Sequence, residues 1–376
     1  MESMKKRILY ITPFGGMNMG GQVSLFHLIN NLSTKLYTPL LVTSNEGELS
    51  DKIKKMGHQV FYRLFGTIKP KRIFNIISDI AWLMKLVKRE KIVLIHTDHA
   101  RDTFHSVFVS LLIGVPIIWH VRVTTPNRPL DMLNKLIVRK IIGISNAVND
   151  RFIGPFYKHD KFIRIFNGVD FKNFNIEEKI ISNLKEKLCM GKDVLIVTSG
   201  TQIVKGKGVD DFIHSAAQLL AEGIKAIFLI IGEGSIDDWN RVKNLISTLN
   251  VSKGVILLGY RKDVPAILMS SDIVVIASHE NFEGGCPRLA LGAMVAGKPL
   301  VVTNIRGMNE IVNNNSALFV PEQSPELMAY SIKLLLQDKE LRIKLGNEAK
   351  KVASEILDIK VNASRVEKLY ESLLTA

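Results

Sequence analysis

The sequence predicts two consecutive α/β domains, each a parallel β-sheet covered by helices on both faces. Three observations predict this. Short β-rich runs alternate with helix-length amphipathic segments through the first half. The alternation restarts after a charged segment at Phe171–Lys192, read as an interdomain linker. The length of 376 residues suits two domains of ordinary size.

In the first half the β-rich runs are Ile8–Thr12, Leu40–Thr43, Gln59–Tyr62, Val93–His96, Ile117–Val121, Ile141–Ile144 and Phe162–Ile165. Amphipathic segments at Val23–Leu32, Ile73–Arg89 and Thr103–Ile113 lie between them. The first strand is followed by a glycine-rich turn, Pro13 to Gly21, whose spacing is not that of the dinucleotide fingerprint. That turn reads either as a ligand loop or as a structural turn. In the second half, strands are expected at Val194–Thr198, Ala226–Ile231, Val255–Leu258, Ile273–Ile276 and Leu300–Val302. Helices are expected at Val209–Ala221, Asp237–Leu249, Val264–Met269 and Arg288–Ala296. The tail beyond Pro325 is helical in pattern at Leu327–Leu336, Lys339–Ile356 and Val361–Leu374.

Hydrophobic content of 47% and charged content of 23% exclude a disordered chain. Two widely separated cysteines, Cys189 and Cys286, offer neither a disulfide framework nor metal-ligand spacing, and fit a reducing compartment. The start MESMKKRILYIT shows no secretory core, and the longest nearly apolar run, Val107–Trp119, is too short to span a bilayer. A cytoplasmic location is therefore expected. The net charge of +14 is uneven: residues 1–170 hold 25 Lys and Arg against 12 Asp and Glu, residues 171–376 hold 25 against 24. A basic half attracts an anionic surface, and without any nucleic-acid-binding signature a membrane surface is the better expectation. Ile73–Lys91 admits two readings. It is a sheet-covering helix, or a peripheral membrane contact with basic flanks at Lys69, Lys71, Arg72, Lys85, Lys88, Arg89 and Lys91.

Ser278–Val312 carries the densest signal: a glycine- and proline-bearing loop, a helix, a strand and another helix start. A glycine-rich loop feeding a helix N-terminus offers free backbone N–H groups to phosphate. Ordered motifs then accumulate around it. IFNGVD at Ile165–Asp170, Ser199-Gly200 followed by KGVDDF at Lys207–Phe212, and LIIGEG at Leu229–Gly234 come first. LGYRKDV at Leu258–Val264, the EGGCPRLALGAMVAGKPLVV stretch and GMNEIV at Gly307–Val312 follow. In the first half Gly20-Gly21, His120 and ISNAV at Ile144–Val148 fit as well.

This ordered set resembles GT-B glycosyltransferases of the large retaining family 4, over nearly the whole chain. The resemblance implies two Rossmann-like doubly wound domains facing an interdomain cleft. It implies an acceptor-binding domain at 1–170, a nucleotide-sugar-binding domain at 171–355, and a C-terminal helix at 356–376 crossing back to the first. It implies transfer from a nucleotide-sugar to a cell-surface glycan or lipid-linked acceptor, with no metal and no cofactor besides the donor itself. On this reading Glu283 and His120 are catalytic, His120 through a hydrogen bond to the transferred sugar. Gly200, Thr201, Lys205, Lys207, Gly284, Gly285, Cys286, Arg288 and Glu310 would bind the donor, and Gly20 and Gly21 the acceptor or a phosphate. Lys207 is the best cation for the leaving diphosphate, with Lys205 the alternative. A lone histidine at a strand end also has a structural reading, and Glu310 one as a helix-end stabiliser.

Three departures from the family pattern stand out. The arginine slot after Gly200 holds Thr201. The glutamate expected before Ala293 is Gly292. Glu283 stands one residue upstream of register, with Glu280 a further candidate. The missing arginine and Gly292 support the alternative function, a catalytically impaired GT-B protein acting as a binding or regulatory partner, behind the transferase reading.

Overall fold

The computed structural model describes residues 5–154, 159–189, 194–200, 202–280, 285 and 287–375. The chain divides into two compact units, one of Met1–Gly168 with Ile359–Ala376, the other of Val169–Asp358.

Unit 1 is built on a seven-stranded parallel sheet in the order β3-β2-β1-β4-β5-β6-β7. Its strands are β1 (Lys6–Ile11), β2 (Tyr37–Thr43), β3 (Val60–Tyr62), β4 (Leu94–Thr97), β5 (Ile117–Val121), β6 (Lys140–Gly143) and β7 (Phe162–Arg164). Alternate side chains along each strand face opposite sides, so the apolar runs feed two cores. Leu9, Ile11, Ile95, Ile117 and Trp119 pack under α3 (Ile73–Arg89) and α4 (Ala100–Ile113). Ile8, Tyr10, Leu94, Ile118 and Ile142 pack under α1 (Gly20–Asn30), α2 (Glu48–Lys55) and the C-terminal helix Ile359–Leu374. That helix supplies Ala363, Val366, Leu369 and Tyr370 to the second core.

Unit 2 has a six-stranded parallel sheet in the order β10-β9-β8-β11-β12-β13. These are β8 (Leu195–Gly200), β9 (Ala226–Ile231), β10 (Val255–Gly259), β11 (Ile273–Ile276), β12 (Leu300–Thr303) and β13 (Ala317–Val320). One face is covered by α8 (Val209–Ala221), α9 (Ile236–Thr248) and α12 (Pro325–Gln337). On the other, Ile196, Ile227 and Leu229 meet Ile267 of α10 (Val264–Ser270) and Leu188 of α7 (Glu178–Leu188). α11 (Arg288–Val295) packs against α13 (Lys339–Ile356).

Several segments differ from the sequence expectation. Phe171–Lys192, expected as a linker, carries α7, whose Lys185 ammonium lies 3.0 Å from both carboxylate oxygens of Asp272. α2 escaped notice because only Leu49 and Ile53 mark its inner apolar face, and the edge strand β13, Ala317–Val320, was not anticipated. In α3, Ile76, Leu83, Leu86 and Val87 are buried, which makes it a sheet-covering helix; Ile73, Phe74 and Ile77 of its first turns remain exposed.

Candidate active site

In unit 2 the glycines of the sequence motifs gather where β8, β9 and β11 end, the carboxyl edge at which such sheets take ligands. The loop Gln202–Gly208 leaves β8 and is clamped from two sides. Ile203 donates its N–H to the Glu233 carbonyl (2.8 Å), and a Cβ on Gly234 would sit 2.2 Å from the Ile203 carbonyl oxygen. On the other side His279 donates its N–H to the Gly206 carbonyl (2.8 Å), and its Nε2 meets Asp211 at 2.8 Å. Gly208 has φ +69°, and a Cβ there would lie 1.8 Å from the Ala277 carbonyl oxygen. Only glycine fits. Lys205 is exposed and Lys207 half-buried on this clamped loop.

Facing motifs complete the edge. Arg288 opens α11 directly after Pro287, and no side chain caps that helix start. The positive end of its helix dipole therefore lies at the glycine-bearing stretch that precedes it. Gly285 is buried and closely approached by Gly307, whose Cβ would meet the Gly285 Cα at 2.5 Å. Gly200 ends β8 against β9, with a Cβ there 2.6 Å from the Ile231 carbonyl oxygen. Glu283, Gly284, Cys286 and Thr201 lie outside the described residues.

The structure places Glu280, Glu310 and the glutamate slot occupied by Gly292. Glu280 is committed to Arg306, which donates both its backbone N–H (2.8 Å) and its Nε–H to that carboxylate. Glu310 lies in the first turn of a 3-10 helix, Met308–Glu310, with Gly307 at its N-cap position, and is half-buried. Gly292 has a packing reason, because its Cβ would meet Leu268 Cδ1 at 2.8 Å and Phe174 Cζ at 3.4 Å. A glutamate there would point into apolar packing.

Unit 1 gathers a buried polar network at the carboxyl ends of β1, β4 and β5. His120 Nδ1 lies 3.2 Å from His96 Nε2 and 3.2 Å from Arg122 Nη2. His96 Nδ1 lies 2.6 Å from the Tyr370 hydroxyl, which meets the Tyr10 hydroxyl at 2.7 Å. Burial pushes His96 down to about 3 and His120 well below the ordinary imidazole range, with Arg122 adding in the same direction. Both rings are therefore neutral. Arg122 approaches Asp98 at 3.8 Å, and burial raises the Asp98 carboxyl to about 6 against the pull of Arg122. His120 Nε2, Asp98 Oδ1 and Trp119 Nε1 are buried with no hydrogen-bond partner among the described residues.

Beside the network opens a cavity of about 470 Å³, lined by Asp98, His99, Trp119, Pro126 and Arg151 among others. Arg151 braces its rim. It makes a bidentate pair with Asp131 (2.7 and 2.6 Å) and donates to the Val123 carbonyl at 3.1 Å. Gly20 and Gly21 form the first turn of α1, which no side chain caps, and Gly21 lies against Arg122 Cδ. In the preceding turn Gly15 is structural, since a Cβ there would overlap the Asn45 carbonyl oxygen at 2.0 Å.

The sequence singled out His120 but missed its neighbours. His96 and Asp98 at the end of β4, and Arg122 two residues beyond His120, were detectable as polar residues closing apolar strands. Tyr370 gave no signal, lying 274 residues from its partner His96. Among the described residues no three His, Cys, Asp or Glu side chains converge as a metal site. No helix among them is long and apolar enough to cross a membrane.

Comparison with known proteins fits this layout. Residues 181–352 match the family model described as glycosyl transferases group 1. A UDP-Gal:alpha-D-GlcNAc-diphosphoundecaprenol alpha-1,3-galactosyltransferase of Escherichia coli is 25% identical over 320 residues, 80% of this chain and 81% of that one. An N,N'-diacetylbacillosaminyl-diphospho-undecaprenol alpha-1,3-N-acetylgalactosaminyltransferase of Campylobacter jejuni is 30% identical over 242 residues, 64% of this chain and 55% of that one. The crystal structure of a glycosyltransferase from Rickettsia africae superposes with a TM-score of 0.88 at 20% identity, covering 99% of both chains. Two parallel Rossmann-like sheets, the family match and these relatives together identify the chain as a glycosyltransferase of the GT-B fold.

Proposed function

We propose that the chain transfers a sugar from a uridine diphosphate sugar to a carbohydrate carried on a polyprenyl diphosphate, with retention at the anomeric carbon, as a member of the family 4 type. The observation that carries the donor reading is the clamped Lys207 loop in unit 2. Its backbone is held by Gly208 against Ala277, and α11 brings the positive end of its dipole to the same sheet edge. Positive charge and oriented N–H groups are what a departing diphosphate requires. Glu283 is proposed to meet the sugar. In unit 1, His120 and the cavity beside Trp119 and Asp98 are proposed to bind carbohydrate hydroxyls, which suits buried, unpartnered donors and acceptors.

The acceptor reading draws support from the relatives. The Escherichia coli protein takes UDP-Gal and a GlcNAc-diphosphoundecaprenol, and the Campylobacter jejuni protein a diphospho-undecaprenol-linked sugar. The basic first half and the exposed Ile73, Phe74 and Ile77 of α3, between Lys71-Arg72 and Lys85, suit peripheral contact with an anionic lipid surface on the cytoplasmic side.

The experiment is a screen of UDP- and GDP-sugars with a polyprenyl-diphosphate-linked acceptor, the product's anomeric configuration being read by NMR. Transfer with retention, undiminished by EDTA and reduced at least about 100-fold by Lys207→Ala, is expected. Absence of binding to every nucleotide sinks the donor assignment; an inverted product sinks retention. For the membrane reading, the protein should sediment with vesicles containing anionic lipid at low salt and release at high salt. Failure to sediment at low salt overturns it.

A further inference from the structure

The unit 1 network has a direction, and that direction can be derived from one residue. Arginine has only N–H donors. Because Arg122 Nη2 lies 3.2 Å from His120 Nδ1, that nitrogen must present its lone pair. His120 is neutral, so its single ring proton sits on Nε2. The lone pair on Nδ1 also faces His96 Nε2 at 3.2 Å, which therefore carries a proton. His96 is neutral as well, so its Nδ1 is a lone pair and accepts from the Tyr370 hydroxyl at 2.6 Å. Tyr370 in turn accepts from Tyr10 at 2.7 Å. Every link is buried: Tyr10 and Tyr370 are 0% exposed, His96 1% and His120 5%. Reversing the chain would place the Nδ1 proton of His120 against the guanidinium.

We propose that Tyr370, acting through His96, is a positioning residue that holds His120 in the tautomer presenting Nε2–H to a carbohydrate hydroxyl. The last helix of the chain thereby sets the protonation pattern of a histidine on β5. Without the Tyr370 proton, His96 is free to move its own proton to Nδ1. Two lone pairs would then face each other across the His96–His120 contact, and the ring of His120 would lose one of the two donors that fix it. The inference rests on the carbohydrate-binding reading of His120 only for its consequence; the tautomer itself is a property of unit 1.

The test uses the full chain labelled with 15N-histidine, read by long-range proton–nitrogen correlation at neutral pH. His96 and His120 are assigned from the signals lost in His96→Gln and His120→Gln variants. Both rings are expected to be protonated on Nε2 and bare on Nδ1. A His120 ring protonated on Nδ1, or on both nitrogens, overturns the proposal with no variant needed.

Tyr370→Phe is expected to move His96 to a mixture of tautomers and to lower kcat about 5- to 10-fold, the loss of one hydrogen bond. Tyr10→Phe leaves Tyr370 its own proton, so the His96 pattern is expected to stay unchanged. Equal spectra for wild type and Tyr370→Phe, or a His96 shift in Tyr10→Phe as large as in Tyr370→Phe, overturn the relay. The two readings fail separately. The expected tautomers with no transfer to any acceptor sink the function and leave the relay standing. Transfer with His120 protonated on Nδ1 sinks the relay alone.

Discussion

Gly208 and the Ala277 carbonyl are packed so closely that a single added methyl at position 208 would lie 1.8 Å from the oxygen. This contact joins the lysine-bearing loop after β8 to the turn after β11. Gly208→Ala adds a steric overlap to a left-handed backbone (φ +69°), and neither can relax without parting the two loops. A loss of about 3 kcal/mol is expected, or about 6–12 °C in Tm for a unit of this size. UDP-sugar affinity should fall with it. A Tm within about 2 °C of wild type would show that the clamp yields.

Gly292 tests whether the family's glutamate can be restored. Gly292→Glu is expected to lose about 2–4 kcal/mol, because its side chain starts 2.8 Å from Leu268 Cδ1 and leads a carboxylate toward Phe174. Gly292→Ala should be near neutral, its gain in helix propensity of about 0.8 kcal/mol offsetting the push on a flexible leucine methyl. Thermal melts of both variants decide this. A stable Gly292→Glu protein with raised nucleotide affinity would instead place position 292 on the ligand.

Arg151 and Asp131 form a buried bidentate pair, their side chains 3% and 6% exposed. Arg151→Met leaves Asp131 unpaired and frees the Val123 carbonyl, so a loss of about 3–5 kcal/mol is expected by denaturant unfolding. The loop bordering the unit 1 cavity loses its brace. Under conditions where the variant is folded, KM for the acceptor should rise more than KM for the donor. An equal rise in both would dissociate the cavity from acceptor binding.

Asp98 gives a pH dependence with a definite sign. Its folded pKa is raised from 3.8 to about 6, so folding favours the protonated carboxyl. That stabilisation is complete below pH 3.8 and is lost as pH rises through about 6. Asparagine stays neutral throughout. The stability of Asp98→Asn relative to wild type should therefore increase between pH 4 and pH 7, by up to about 3 kcal/mol. The comparison needs only denaturant curves at several pH values. A difference that is flat, or that falls with pH, would show that Asp98 is ionised in the folded protein at pH 4.

The sheet strands and most helices were legible because their signals are local. A buried parallel strand is a short apolar run, and a covering helix repeats apolar residues every three or four positions. α5 (Arg128–Ile137) shows where that logic fails. It buries Asp131, Asn134 and Lys135 and exposes Met132 and Leu136. Asn134 donates to the Ala100 carbonyl at 2.8 Å and Lys135 to the Phe152 carbonyl at 3.2 Å. Only Leu130 and Ile137 reach the core from this helix, so its apolar stripe is interrupted by the buried polar residues.

The glycine- and lysine-bearing loops of unit 2 were likewise readable from the chain, since close backbone approach demands glycine and a diphosphate demands cations. By itself, then, the sequence determined the two parallel sheets and the glycine- and lysine-bearing loops proposed to meet phosphate. Only the tertiary structure decided what Gly292 packs against, that Glu280 is committed to Arg306, and that a tyrosine near the end of the chain reaches His96 on β4. Hydrogen bonds between residues hundreds of positions apart have no periodicity along the chain. Their partners are chosen by how the last helix packs onto the sheet, and that packing exists only in the folded molecule.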